Sequence, residues 1–138
     1  MRINQHFWEI ETAGWAIDQS PECVTLNPYD TGAALQISCH RKLTGTVTDG
    51  ELLGFAKDVL AEHDVAPSPV VCGDFHGFHG AFIDGEPRFW RHWFLATGCV
   101  SLYITYNTAP KEAAAHTAVV DWMLSGLRAF DTDPTPAQ

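Results

Sequence analysis

The 138-residue sequence predicts an α+β fold: one antiparallel sheet of about six strands with helices packed on its faces, ordered β-β-β-α-β-β-β-α. Three observations carry this expectation. Two stretches rich in β-branched and aromatic residues are each divided by turn residues. Each stretch is followed by a segment with helical spacing of apolar residues. The content of hydrophobic residues, 46% with 12% aromatic, is enough for one buried core in a chain of this length.

The elements follow in order. Residues 14-GWAID-18 form an apolar run that Ser20-Pro21 breaks, and 23-CVTLN-27 is β-rich up to Pro28. The cluster 28-PYDTG-32 reads as a turn. Beyond it, 33-AALQISCHR-41 alternates, with Leu35, Ile37 and Cys39 on one face, so the last two strands form a hairpin. Thr48 and Glu51 make a capping box that starts a helix. Leu52, Phe55, Ala56, Val59 and Leu60 give that helix an apolar stripe meant for a sheet. His63-Asp64 ends it, and 66-APSP-69 forbids its continuation.

The meander comes next. Asp84-Gly85 and Thr97-Gly98 are hairpin-turn signals, predicting strands over about 70–83, 88–96 and 99–106. Pro110 suits the first turn of a helix, and 111–130 is rich in helix formers. Trp90, Trp93 and Trp122 are expected in core or helix–sheet packing, as are Trp8 and Trp15 near the N-terminus. Residues 1–130 read as one domain, and 131-DTDPTPAQ-138 as a disordered tail.

Composition excludes several classes of function. Eight Lys+Arg against seventeen Asp+Glu give a net charge of −9 and a pI near 5.0. Such a surface repels phosphate backbones, so nucleic acid is not an expected partner; the charge instead favours a basic protein partner or simply serves solubility. No stretch reaches the ~18 apolar residues of a membrane span, and the N-terminus lacks the apolar run of a signal peptide. The cytoplasm is therefore the expected compartment. Cys23, Cys39, Cys72 and Cys99 form no C-x-x-C pair and read as free thiols.

The stretch 72-CGDFHGFHG-80 with 91-RHW-93 raises the possibility of a metal or catalytic site. Register decides it, because alternate residues of a strand face opposite ways. A symmetric loop at Gly85-Glu86 pairs His79 with His92, and a two-residue Thr97-Gly98 turn pairs His92 with Tyr103. His79, His92 and Tyr103 then form one transverse row, about 5 Å between neighbours, with Trp90 on the same face. His79, Trp90, His92 and Tyr103 are therefore the candidate ligand-binding residues. A metal needs three or four ligands, and neither carboxylate nor thiol joins this row, so no metal and no cofactor is expected. Cys72, Asp74 and His76 have the opposite parity. The sequence has no G-x-S-x-G elbow, no phosphate loop and no H-E-x-x-H, so no catalytic residue is assigned. Arg91, in an apolar face, either snorkels to an edge or pairs with a carboxylate such as Asp74.

Gly14-Trp15, 32-GAALQISCHRK-42, the capped helix at 48–63, 84-DGEPRFWRHWFLATGCVSLYITYN-107 and the C-terminal helix together resemble the PsbP-like α/β sandwich proteins. That group includes extrinsic photosystem subunits, small Ran-binding nuclear-import factors and many bacterial proteins of unknown role. The resemblance spans 14–130 and lies in element order. It implies helices on both faces of an antiparallel sheet and a non-catalytic role through protein contacts, and it transfers no functional residue. Two readings of function result. One is a cytoplasmic protein-interaction module, such as an immunity protein or a secretion-associated chaperone. The alternative is a small-molecule or metal-binding protein using the His79/His92/Trp90/Tyr103 face.

Overall fold

A computed structural model describes residues 2–4 and 7–133. Among these residues the chain is mixed α/β, with two α-helices and a seven-stranded sheet in the order β3-β4-β5-β9-β8-β7-β6. These strands are β3 (Ala16–Gln19), β4 (Val24–Asn27), β5 (Ala34–Arg41), β6 (Ser68–Cys72), β7 (Phe75–Ile83), β8 (Phe89–Thr97) and β9 (Val100–Thr108). Neighbours pair antiparallel throughout. Three short strands, β1 (Arg2–Asn4), β2 (Trp8–Glu11) and β10 (Arg128–Ala129), make a second sheet.

Helix α1 (Asp49–Ala61) starts where the capping box places it: Glu51 N–H donates to Thr48 Oγ1 at 3.1 Å, and Thr48 N–H donates to Glu51 Oε1 at 3.2 Å. It buries Leu52, Ala56 and Leu60 on one face of the sheet, against Phe94 and Ala96. The other face is the larger core. There Leu35, Ile37, Trp93, Leu95, Leu102 and Ile104 meet Trp8 and Ile10 of β2, Trp15, and Val120, Met123 and Leu124 of helix α2 (Thr117–Ser125).

Four expectations need correction. The sheet has one strand more than expected, because 70–83 is two strands folded back at Gly73-Asp74. Gly73 has φ +61, and a Cβ there would strike Leu127 O at 2.1 Å. The C-terminal helix is shorter than 111–130. Pro110–Glu112 form a 3-10 turn, His116 is drawn onto Trp15 (ring centroids 5.4 Å apart), Gly126 caps α2, and Arg128–Ala129 pair with β2. Tertiary contacts override the helix propensity of the alanines there. Trp122 is 56% exposed rather than packed. The expected tail is tied down over 131–133: Cys99 N–H donates to Thr132 O at 2.8 Å and Arg41 Nη2 to Asp133 O at 2.9 Å. Residues 134–138 lie outside the described residues.

The meander turns set which side chains share a face. Asp84 N–H donates to Arg88 O, and Asp84 Oδ1 accepts from the N–H groups of Glu86 and Arg88, enclosing the three residues Gly85-Glu86-Pro87. An odd loop shifts the pairing by one, so Gly80 faces His92 and His79 faces Trp93. The second turn is Gly98-Cys99, closed by Thr97 and Val100. That moves the pairing by two and leaves the β8/β9 faces as expected.

Candidate functional site

The odd turn separates the candidate residues. His79 is on the face toward α2, while Trp90, His92 and Tyr103 are on the face under α1. The expected His79–His92–Tyr103 row does not exist.

Under α1, His92 is the hub. Its Nδ1 lies 2.8 Å from Tyr103 Oη, a phenol–imidazole hydrogen bond on the diagonal between β8 and β9. Trp90 meets His92 edge-on at 5.7 Å, and Phe82 lies 5.1 Å away. His63, just past the C-terminus of α1, stacks on Phe82 with centroids 3.6 Å apart. The Trp90 indole donates to Asp84 Oδ2 at 2.8 Å, so the turn that sets the register also pins this ring. Beyond Tyr103 a cleft of about 230 Å³ opens between α1 and strands β5 and β9. Leu52, Phe55, Phe94 and Tyr103 are its walls, and Lys42, Glu51, His40 and Ser101 its polar rim. The Phe55 ring meets both Phe94 and Tyr103 in T-shaped contacts, with centroids 5.2 and 5.4 Å away. Lys42 Nζ and Glu51 Oε1, 2.8 Å apart, close one end.

On the opposite face Arg91 organises a polar chain. Its Nε donates to His79 Nε2 at 3.1 Å, its Nη2 to Asp121 Oδ1 at 2.7 Å, and its guanidinium lies 4.5 Å from the Trp93 ring. The carboxylate partner is Asp121 of α2, not Asp74, which instead accepts from Ala129 N–H at 3.0 Å. Cys72, His79, Arg91, Trp93 and Asp121 border a depression of about 320 Å³ between β6 and α2. No local sequence signal joins Arg91 to Asp121, because their contact spans thirty positions. The Asp84 turn did have a signal: an Asp followed by Gly, with Pro87 and Arg88 completing a longer loop.

Burial sets the protonation of both faces. It pushes His79 and His92 down to about 4, with the Arg91 charge adding to the effect at His79. It raises the Cys39 and Cys72 thiols to about 11. The Tyr103 phenol is also raised by burial. At neutral pH the site therefore presents neutral imidazoles, a neutral phenol and protonated thiols. Such groups bind through hydrogen bonds and aromatic faces, and the protonated thiols and phenol are poor nucleophiles. Among the described residues no group of three His, Cys, Asp or Glu is placed to hold a metal ion. No helix among them is long and apolar enough to cross a membrane.

No family model and no curated protein matches the chain. A crystal structure of a protein from Bacteroides thetaiotaomicron VPI-5482 is similar, with a TM-score of 0.63 at 13% sequence identity. The match covers 90% of this chain and 45% of that one, so this chain spans less than half of its structural neighbour. The likeness concerns the fold alone.

Proposed function

We propose that this chain is a non-catalytic protein-interaction module of the cytoplasm, of the PsbP-like kind, and that a basic protein is its partner. Immunity against a toxin and escort of a secreted protein are the two roles that suit such a module. One observation carries the reading: the free edge of the large sheet at β6. Natural sheets guard their edges with charge, bulges or proline. The other edge, β3, carries Asp18, whereas β6 reads Ser68-Pro69-Val70-Val71-Cys72, with Pro69 as its only guard. Val71 is 76% exposed beside a groove of about 480 Å³ lined by Pro69, Val70, Phe78, His76 and Asp49. Helix α2, packed beside β6, exposes Trp122. An extended segment of a partner can add to this edge by main-chain hydrogen bonds, with apolar side chains in the groove. The net charge of −9 favours a basic segment.

The test uses Val71→Lys and Trp122→Ala, both at exposed positions where the fold tolerates change. A basic protein retained by the wild type from its native host should be lost with Val71→Lys and weakened with Trp122→Ala. Equal retention by all three proteins would sink the edge reading.

A second reading is favoured by the cleft under α1, whose aromatic walls suit a small apolar ligand. There Tyr103 would bind directly, while His92 and Trp90 hold it from behind. Indole titrated into the protein should shift the Tyr103 and Phe55 ring resonances. Unchanged resonances at millimolar indole would argue against a ligand there.

A further inference from the structure

The larger core contains polar atoms that its own residues leave unanswered. Arg91 Nη1, Tyr106 Oη and Thr108 Oγ1 are buried, and none has a hydrogen-bond partner of acceptable geometry. All three belong to one patch. Arg91 faces Tyr106 across β8 and β9, and Thr108 follows Tyr106 on the same face. Burial raises the Tyr106 pKa, while a loose hydrogen bond with the Thr108 hydroxyl, short of well-formed geometry, and the Arg91 charge pull it back. Tyr106 and Thr108 are 0% exposed. Trp15 closes the patch, its ring 6.5 Å from Tyr106 and 5.4 Å from His116.

The chemistry of the three atoms defines what is missing. A guanidinium nitrogen only donates, and the other two arms of Arg91 are already committed to His79 and Asp121. A hydroxyl can donate or accept. The complement is therefore one or two acceptor oxygens, able to take the Nη1 hydrogens and to exchange hydrogen bonds with both hydroxyls. Left empty, the patch would hold three desolvated polar groups in a protein of small net stability. Buried water commonly answers such a need.

We propose that Arg91, Tyr106 and Thr108 form an internal site for acceptor oxygens, filled either by ordered water or by the carboxylate of a small acid. The site is separate from the cleft under α1, and Arg91 joins it to the depression between β6 and α2.

Two nearly isosteric substitutions decide whether it is filled. If a guest is bound, Tyr106→Phe and Thr108→Val each lower the denaturation midpoint, and the double variant loses less than the sum, because both hydroxyls share one guest. If the patch is empty, removing an unanswered hydroxyl leaves the midpoint unchanged or raises it, and the proposal is overturned. Acetate then separates the two sources. A rise in melting temperature with acetate that Tyr106→Phe abolishes identifies a carboxylate. No rise, together with destabilising variants and electron density among the three atoms in a crystal structure, identifies water. A crystal structure with no density among the three atoms would also overturn the proposal.

Discussion

His79 and His92 lie on opposite sides of one sheet, yet each is held neutral by the same cause, loss of water around the ring. The linkage has a definite sign. Their folded values, about 4, are below the ordinary 6.5, so the unfolded chain takes up protons first as pH falls. The contribution is fully present above about 6.5 and is lost between there and about 4. Denaturation midpoints should fall through this window. His92→Asn, which keeps a polar end near Tyr103, should reduce that fall by the share of one proton. Imidazole resonances of His79 and His92 that titrate near 6.5 would refute this account. The thiols give a second expectation at this scale. All four cysteines are unpaired, and burial keeps Cys39 and Cys72 protonated. Thiol titration should find four groups per chain in denatured, unreduced protein, with Cys39 and Cys72 slow in the native state; two or fewer in fresh protein would contradict it.

At the scale of elements, three glycines have different roles in sheet and helix. A Cβ at Gly77 would come within 1.9 Å of Phe94 O, a main-chain atom that cannot yield without breaking the β7–β8 ladder. At Gly80 the nearest atom is Leu60 Cδ1 at 2.5 Å, the end of a flexible side chain. Gly54, exposed within α1, meets nothing within 4 Å. Gly80→Ala should cost roughly 1–3 kcal/mol, as overpacking does, and Gly77→Ala should cost more. Gly54→Ala should stabilise by about 0.5–1 kcal/mol. Urea denaturation of the three variants checks the order, and a tolerated Gly77→Ala would overturn the register described for β7.

The same elements explain what could be read in advance. The capping box of α1, the β4–β5 hairpin and the parity of β8 against β9 depend on neighbours in sequence, and they were legible. The side of β7 was not. It depends on whether the Asp84 loop encloses two residues or three, and the Asp84 carboxylate accepting two N–H groups decides that. One residue moved His79 across the sheet and dissolved the expected histidine row. Trp90, His92 and Tyr103 stayed together because the error at the second turn was even. Strands β1, β2 and β10 were invisible for another reason: they are two to four residues long and exist through pairing across the length of the chain.

For the whole molecule, the charge of −9 and the open β6 edge predict that partner binding weakens as ionic strength rises. An affinity insensitive to salt would remove the basic partner while leaving the edge itself available. The C-terminal stitch allows a second test. Ending the chain after Phe130 removes the Thr132 carbonyl that receives Cys99 N–H and the Asp133 carbonyl that receives Arg41. Stability should fall by about 1–3 kcal/mol, with amide exchange fastest at the Gly98-Cys99 turn. Unchanged exchange there would show the stitch to be idle.

The pairing of β2 with β10 also bears on the order in which the protein is made. Trp8 and Ile10 leave the ribosome more than a hundred residues before Arg128–Ala129, which cover one side of their strand. Throughout synthesis β2 has an apolar face and an unpaired flank while more than a hundred residues are still to come. The nascent chain is thus exposed to mispairing at β2, where a second nascent chain on the same messenger offers an identical strand. A holding chaperone that grips residues 7–11 would protect it until the chain closes on itself.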